Sequence, residues 1–262
     1  MLIAADNLTA SRPTVRRALR ERDAQAVTAI CKRAQAAGSD WLDLNPGFLR
    51  PQIKSEVWKF LIHTAEAACN LKLMLDAPDV ESLALALDYC TRPPVLNMAT
   101  AQEERLGPVL DLAAAHGVEV VAATITNAVP ASAEERLSLA ALIIAEASRR
   151  GISSEALILD PMVMPLSLPG GETQAWAVIE FLRSVPHLFN PPPHTLIALS
   201  NLTTAAAPIE ARFAAAPFLC AAWGAGLDIA LMDALDRDLG QMVRLCQVFK
   251  GSRVFAPGEF LP

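Results

Sequence analysis

Side chains that accept or donate hydrogen bonds follow apolar runs at intervals along this 262-residue sequence. In the run 157–160 (LILD), three aliphatic residues precede one carboxylate, and Pro161 directly after it blocks further strand pairing. Such a run with a turn signal behind it predicts a buried strand. A buried polar group is costly unless it has a partner, so the recurrence predicts one shared site. The residues at these positions are Asp43, Asn45, Asp76, Asn97, Asp160, Asn201 and Asp233.

The residue types indicate which ligand such a site would take. Ionised aspartate only accepts hydrogen bonds, whereas asparagine both donates and accepts them. A ring of these side chains suits a ligand with several N–H donors and a few acceptors, such as a flat heterocycle with an amino-pyrimidinone edge. A divalent metal ion is the alternative, since carboxylates and carbonyls suit Mg²⁺ or Mn²⁺. No His-x-His or Asp-x-Asp pair lies at a predicted strand end, so we predict a small-molecule site without a metal. The predicted binding residues are Asp43, Asn45, Asp76, Asn97, Asp160 and Asn201.

Eight strand-then-helix units position these residues. Alternation at this spacing predicts a parallel sheet, and eight units predict a closed (β/α)8 barrel in a single domain over residues 1–262. In such barrels the active site lies at the carboxyl ends of the strands. Asp79 and Asp233 each precede a predicted helix, so each could cap that helix instead of binding a ligand. The predicted strands are 2–5, 41–45, 71–76, 95–97, 118–124, 157–160, 196–200 and 228–232.

Composition and short motifs exclude several classes of protein. The sequence has no GxGxxG or GxxxxGK[ST] motif, which disfavours a doubly wound nucleotide-binding sheet. The net charge is −6 and no basic run is apparent, so we expect no nucleic-acid partner. No apolar stretch reaches the roughly 18 residues of a membrane span. Without a signal peptide at Met1, and with five dispersed cysteines that form no CxxC pair, we expect a cytoplasmic protein with reduced thiols.

The ordered set LDLN (42–45), LMLD (73–76), LN (96–97), LDP (159–161) and LSN (199–201) resembles the motifs of pterin-binding barrels. It is most similar to methyltetrahydrofolate:corrinoid protein methyltransferases, from Met1 to about Phe255. The resemblance implies a (β/α)8 barrel that moves the N5-methyl group of methyltetrahydrofolate to or from the cobalt of cobalamin. That corrinoid is carried by a separate protein, the corrinoid protein. The resemblance also implies a homodimer formed through barrel helices, for which the apolar helix 213–223 is a candidate.

The same resemblance implies roles for individual residues. Asp160 would accept the 2-amino and N3 hydrogens of the pterin, while Asn97 and Asp76 would hold its N1/N8 side. Asn201 would lie beside N5 and strengthen its hydrogen bond as the methyl group departs. Asn201 and Asp160 are therefore the predicted catalytic residues. The nucleophile belongs to the corrinoid, so no catalytic serine, cysteine or histidine is required.

Departures from the family pattern concern the surroundings of the pterin. Thr9 stands where relatives carry an asparagine, and Asn7 is a candidate replacement. The loop 124–130 lacks the more polar turn with lysine and glycine that relatives have after strand five. Residues 77–78 (AP) and Met98 replace small polar residues beside the predicted site. We expect pterin binding to be kept and the surroundings of the methyl group and the folate tail to be altered.

Two alternatives stay open. Dihydropteroate synthase shares the barrel and the Asp/Asn set, but it requires basic groups for a pyrophosphate, and the segment 196–236 holds only Arg212. A folate-binding relative without catalytic activity is the other alternative. Arg50 and Lys54 are candidates to bind the glutamate tail of a folate.

Overall fold

Eight short apolar segments pair side by side and in parallel, and the last one pairs with the first. The computed structural model describes residues 1–204, 208–256 and 258, and its sheet is a closed barrel in which each strand is followed by at least one helix. The predicted (β/α)8 architecture is therefore confirmed. The strands are β1 (Leu2–Thr9), β2 (Trp41–Asn45), β3 (Lys72–Asp76), β4 (Val95–Thr100), β5 (Glu119–Ala123), β6 (Leu157–Asp160), β7 (His194–Ala198) and β8 (Ile229–Met232).

Helices cover the outside of this sheet. Several begin at a side chain that accepts a hydrogen bond from the first turn, as Asp79 does from the Ser82 amide at 2.8 Å and Asp236 from the Asp238 amide at 2.9 Å. Such caps satisfy amides that have no partner within the helix. The helices are α1 (Pro13–Glu21), α2 (Ala24–Ala36), α3 (Pro51–Ala68), α4 (Val80–Leu87), α5 (Glu103–His116), α6 (Ala133–Arg149), α7 (Gly171–Leu188), α8 (Leu199–Leu202), α9 (Pro208–Gly224) and α10 (Arg237–Phe249).

The strands carry two apolar layers because successive side chains point to opposite faces of a sheet. One layer packs against the helices and forms the larger core. The other fills the barrel interior with mostly aliphatic side chains and one tryptophan. The interior layer supports the residues at the carboxyl ends of the strands from below. Its members are Ala4, Trp41, Met74, Val95, Val121, Ile158, Leu196, Ile229 and Leu231.

Three predicted strand ends were wrong in ways that matter for the site. Strand β1 continues to Thr9 instead of ending at residue 5, with an irregular register against β2 between Ala5 and Leu8. The sequence prediction ended it early because aspartate and asparagine disfavour strands. Strand β4 likewise runs on to Thr100, and β7 ends at Ala198, so that Asn201 lies in α8.

Helix α1 was not predicted at all. Pro13 occupies its first turn, where the fixed φ of proline favours a helix and its missing N–H is not required. Helix α10 begins at Arg237, directly after its capping residue Asp236. Within the described residues, no helix combines the length and apolar character that a membrane span requires.

The interior layer predicts a specific dependence of stability on packing. Ile158 is buried inside the barrel, and truncating such a side chain leaves a cavity, so Ile158→Ala should lower the free energy of unfolding by about 2–5 kcal/mol. Leu142 on α6 is 45% exposed, and Leu142→Ala should change the free energy of unfolding by less than about 0.5 kcal/mol. Urea titration followed by circular dichroism measures both. Equal losses in the two variants would contradict this account of the core.

Candidate active site

The carboxyl ends of the strands surround one cavity of about 440 Å³. All six predicted binding residues line it, although they are spread over the chain from β2 to α8. Asp233 and Asn7 do not line it. Sequence reasoning missed the polar lining residues Asp6, Ser11, Arg12 and Ser200. The lining comprises Asp43, Asn45, Asp76, Asn97, Asp160 and Asn201 together with Asp6, Thr9, Ser11, Arg12, Met98, Met162, Ala198, Ser200 and Leu231.

Asp160 ends β6 and is buried at the cavity wall. Its Oδ1 accepts a hydrogen bond from the Met162 amide at 2.8 Å, and its main-chain oxygen accepts one from the Thr124 amide at 2.8 Å. Oδ2 receives no hydrogen bond from any residue that the structure describes. Burial raises the pKa of Asp160 to about 7, against the opposing effects of the Met162 amide and the Arg136 charge. The carboxyl group therefore changes its charge near neutral pH and has an oxygen free for a ligand.

Arg136 fixes the turn that follows Asp160. This fully buried side chain on α6 donates from Nε to the Pro161 oxygen at 2.7 Å and from Nη2 to Gln174 Oε1 at 2.5 Å. Burial lowers the pKa of Arg136 to about 10, so the group stays charged at neutral pH. Sequence analysis missed Arg136, although its place among the buried positions of α6, four residues before Ala140, was a usable signal.

Asp76 and Asn45 form a pair on the neighbouring wall. The Asn45 amide donates to Asp76 Oδ2 at 2.6 Å, and Asn45 Oδ1 accepts from the Gly47 amide at 3.0 Å, which fixes the orientation of Asn45. Burial raises the pKa of Asp76 to about 6, while Asn45 and the charge of Arg105 act in the opposite direction. This carboxylate is thus positioned by a neighbouring strand before any ligand binds.

Arg105, which sequence analysis also missed, holds the loops beside this pair. Its guanidinium donates to the main-chain oxygens of Met98 at 2.7 Å, Ala77 at 2.8 Å and Pro78 at 2.6 Å. These are the positions at which the sequence departs from the family pattern. Arg105 binds main-chain oxygens of these residues, so the contacts that hold the loops do not depend on their side chains.

Asp43 lies deepest among the acids. It is buried, and its Oδ1 has no hydrogen-bond partner within the described residues. Burial raises the pKa of Asp43 well above its usual range, the charges of Asp76 and Asp6 raise it further, and hydrogen bonding from Asn97 opposes them. Burial therefore disfavours the charged form, and Asp43 can meet a ligand as an acceptor or, when it is protonated, as a donor. Buried polar atoms are normally paired, so this oxygen is available to a group that enters the cavity.

Asp6 and Arg12 extend the site toward β8. Arg12 Nη2 lies 3.1 Å from Asp6 Oδ1 and 3.0 Å from Asp233 Oδ2. Burial raises the pKa of Asp6, although the charge of Arg12 acts in the opposite direction. Burial also acts to raise the pKa of Asp233, but the hydrogen bond from Asn7 and the charge of Arg12 outweigh it, so this pKa is lowered. Asn7 donates to Asp233 Oδ1 at 2.6 Å, so it does not take the place of the family asparagine in the cavity, whereas Thr9 lines it. Asp6 ends an apolar run like the other acids do, and that pattern was the signal for it.

Asn201 lies half-buried in α8 at the cavity edge. Its side-chain amide makes no hydrogen bond with any residue that the structure describes. Its main-chain oxygen accepts a hydrogen bond from the Thr204 amide at 3.3 Å. The side chain is therefore free to bind a ligand or to move as one reacts.

The two proposed tail-binding cations lie elsewhere. Lys54 Nζ pairs with Asp79 at 2.9 Å, and Arg50 is an exposed residue before α3. Neither lines the cavity, nor does any histidine. Over the part of the chain that the structure describes, no three histidine, cysteine or acidic side chains come together in a way that would hold a metal ion.

Comparison with known proteins identifies the family. A family model described as pterin binding enzyme matches residues 7–233. Methylcorrinoid:tetrahydrofolate methyltransferase from Eubacterium limosum is 26% identical over 277 residues, which cover 100% of this chain and 98% of that protein. Methionine synthase from Mycobacterium leprae (strain TN) is 25% identical over 228 residues, which cover 84% of this chain and 19% of that protein.

Solved structures agree on the fold. Dihydropteroate synthase from Xanthomonas albilineans in complex with 7,8-dihydropteroate has a TM-score of 0.67 at 18% identity, covering 97% of this chain and 94% of that one. Dihydropteroate synthase from Stenotrophomonas maltophilia has a TM-score of 0.69 at 18% identity, with the same coverage. At this identity the likeness is evidence for the barrel alone. The family model spans most of the chain, and its match contains the strand-end acids and amides, so the chain belongs to the pterin-binding enzyme family.

Proposed function

We propose that this protein is a methyltransferase that moves the N5-methyl group of methyltetrahydrofolate to or from the cobalt of a corrinoid protein. The observation that supports this best is a set of polar groups in one cavity that lack partners within the described residues: Asp160 Oδ2, Asp43 Oδ1 and the Asn201 amide. A polar heterocycle would supply those partners. The similarity to a methylcorrinoid:tetrahydrofolate methyltransferase over the whole chain favours a reduced folate as that heterocycle.

Asp160 is the proposed anchor of the pterin. An ionised carboxylate has about four acceptor positions, so Oδ1 can keep the Met162 amide while both oxygens accept the 2-amino and N3 hydrogens. Asn97 and Asp76 would hold the N1/N8 side, with Asp76 oriented by Asn45. In this proposal Asp43 completes the set from the buried end of the cavity.

Asn201 is the proposed residue at the reacting nitrogen. An amine is a poor leaving group, so N5 must gain a proton or a strong hydrogen bond while the methyl group leaves. An amide that strengthens its hydrogen bond as charge develops lowers the barrier without being an acid itself. The corrinoid, when bound by way of its own protein, supplies the nucleophilic metal, and this chain positions the methyl donor.

The alternatives are less well supported. A dihydropteroate synthase must bind a pyrophosphate, yet the one arginine at the cavity, Arg12, is already paired with Asp6 and Asp233. The side chain of Arg212 lies outside the described residues. A folate-binding protein without activity would bind methyltetrahydrofolate through the same residues but would not transfer its methyl group to cob(I)alamin. The homodimer through helix 213–223 and the cytoplasmic location stay predictions.

Folate binding should be linked to proton release. The pKa of Asp160 is about 7 in the free protein, and the ionised form is the one that accepts both pterin hydrogens, so affinity should fall as pH drops below neutral. The loss should approach tenfold per pH unit once the free site is mostly protonated. Calorimetry of methyltetrahydrofolate in buffers with different ionisation enthalpies should detect about one proton released near pH 6 and almost none near pH 8.

The control for this experiment is Asp160→Asn, which keeps the shape and removes the titrating group. It should bind weakly and lose the proton release. Affinity that stays constant over this pH range, or proton uptake on binding, would contradict the assignment of Asp160.

Asn201→Ala should separate catalysis from binding. Loss of one hydrogen bond that strengthens in the transition state should slow methyl transfer to free cob(I)alamin by about 100-fold or more. The dissociation constant of methyltetrahydrofolate should change by less than about fivefold, because other residues hold the pterin ring. Stopped-flow absorbance measures the rate and calorimetry measures the affinity.

The matched control is Asn70→Ala, the same change at an exposed position outside the cavity. It should leave both quantities unchanged. Transfer at the wild-type rate by Asn201→Ala would reject the proposed role of Asn201. Formation of dihydropteroate from p-aminobenzoate and a pterin pyrophosphate would favour the synthase instead.

A further inference from the structure

Asn201 lies in a helix that is too short to be stable by itself. Helix α8 has four residues, Leu199–Leu202. Isolated helices of fewer than about 12 residues are marginal in water, because few hydrogen bonds offset the cost of forming the first turn. The position of Asn201 therefore depends on contacts between α8 and other parts of the chain. Buried Leu199 and Leu202 supply the packing, and the segment after β6 supplies hydrogen bonds.

Segment 161–170 joins β6 to α7, and we call it the β6–α7 loop. Its Leu166 amide donates to the Leu202 oxygen at 3.0 Å, and Ser167 Oγ donates to the Thr204 oxygen at 3.2 Å. The last carbonyl groups of a helix have no partner within that helix. The loop thus supplies hydrogen bonds at the carboxyl end of α8, next to Asn201.

The β6–α7 loop begins at the proposed pterin anchor. The Met162 amide donates to Asp160 Oδ1 at 2.8 Å, and Arg136 donates to the Pro161 oxygen at 2.7 Å and to Gln174 in the first turn of α7 at 2.5 Å. Met162 has a φ of 56°, in the left-handed region that residues other than glycine rarely adopt. The contacts with Asp160 and Arg136 therefore hold the turn in a conformation that the chain does not favour by itself.

Gly171 allows the loop to approach α7 closely. It is buried at the start of that helix, and a Cβ atom at this position would lie 2.4 Å from the Pro165 oxygen and 2.8 Å from the Leu166 Cα. Both distances are too short for a Cβ contact, so a larger residue would displace this part of the loop. The hydrogen bond from Leu166 to α8 would shift with it.

We propose that the β6–α7 loop sets the position of Asn201 relative to Asp160 and that Ser167 and Gly171 are positioning residues for methyl transfer. This inference rests on the proposed function, in which Asp160 holds the pyrimidine edge and Asn201 meets N5. The loop connects these two residues through its own hydrogen bonds. A displacement of about 1 Å at a reacting position can cost about 100-fold in rate, so the loop should affect the rate more than the affinity.

Ser167→Ala tests the hydrogen bond to α8. The side chain is exposed, so the fold should be kept. Loss of this bond should slow methyl transfer to free cob(I)alamin by about three- to fivefold, while the dissociation constant of methyltetrahydrofolate should change by less than about twofold. Ser167→Thr keeps the hydroxyl group and should restore the rate. Stopped-flow absorbance and calorimetry measure the two quantities.

The matched control is Ser138→Ala. Ser138 is exposed on α6, and its Oγ also donates to a main-chain oxygen, that of Glu134, at 3.0 Å. This variant loses the same kind of hydrogen bond far from α8 and should keep the wild-type rate.

Gly171→Ala should have a larger effect, because it displaces the main chain of the loop. The rate should fall by about tenfold or more. The dissociation constant of methyltetrahydrofolate should change by less than about threefold, because Arg136 and the Asp160 carboxylate hold the start of the loop. The control is Gly224→Ala at the end of α9, where a Cβ atom would meet no atom within 4 Å.

A double-mutant cycle distinguishes positioning from a general structural role. If the loop acts through Asn201, neither Ser167→Ala nor Gly171→Ala should slow the Asn201→Ala variant further. Equal slowing in the wild-type and Asn201→Ala backgrounds, or a loss of affinity as large as the loss of rate, would overturn the inference.

The remaining outcomes separate this inference from the proposed function. Wild-type rates in both loop variants would overturn the positioning role while the methyltransferase assignment stood. Failure of the unaltered protein to bind methyltetrahydrofolate or to transfer its methyl group would overturn the proposed function and this inference with it.

Discussion

The burial of several carboxyl groups in one small cavity is the constraint on which the rest of the site depends. Closing eight parallel strands brings their carboxyl ends together, so Asp43, Asp76 and Asp160 share a space of about 440 Å³. Burial raises the pKa of each. The protein offsets this cost with the Asn45 amide, main-chain amides and nearby arginines, and leaves some oxygens for a ligand. In the proposed function, the same groups, whose burial is costly, recognise the pterin.

Local patterns were enough to predict the barrel and its polar strand ends. An apolar run that ends on an acid or amide is visible within a few residues, and repetition of the unit identifies the fold. Asp6 was missed although it directly follows the predicted strand 2–5, which is the pattern that marked the other acids. Arg105 escaped because its partners are main-chain oxygens of loops about 7 to 28 residues away, which no residue pattern marks. Arg136 did leave a signal, its place among the buried positions of α6, which the sequence prediction did not use.

The departures from the family pattern now have a physical interpretation. Arg105 holds the Ala77 and Met98 main chain, so altered side chains there do not free the loops beside Asp76. The main chain beside Asp76 is therefore held in place by its contacts with Arg105. Thr9 lines the cavity, whereas Asn7 donates a hydrogen bond to Asp233.

A crystal structure with methyltetrahydrofolate tests the central claim most directly, since the account assigns one cavity and one orientation to the ligand. We predict that the 2-amino and N3 positions lie within hydrogen-bond distance of the Asp160 carboxylate and that N5 faces Asn201. We also predict that Asp43 Oδ1, which lacks a partner among the described residues, gains one from the ligand or from a water that the ligand traps. A folate bound outside this cavity, or with its pyrimidine edge turned away from Asp160, would contradict the account.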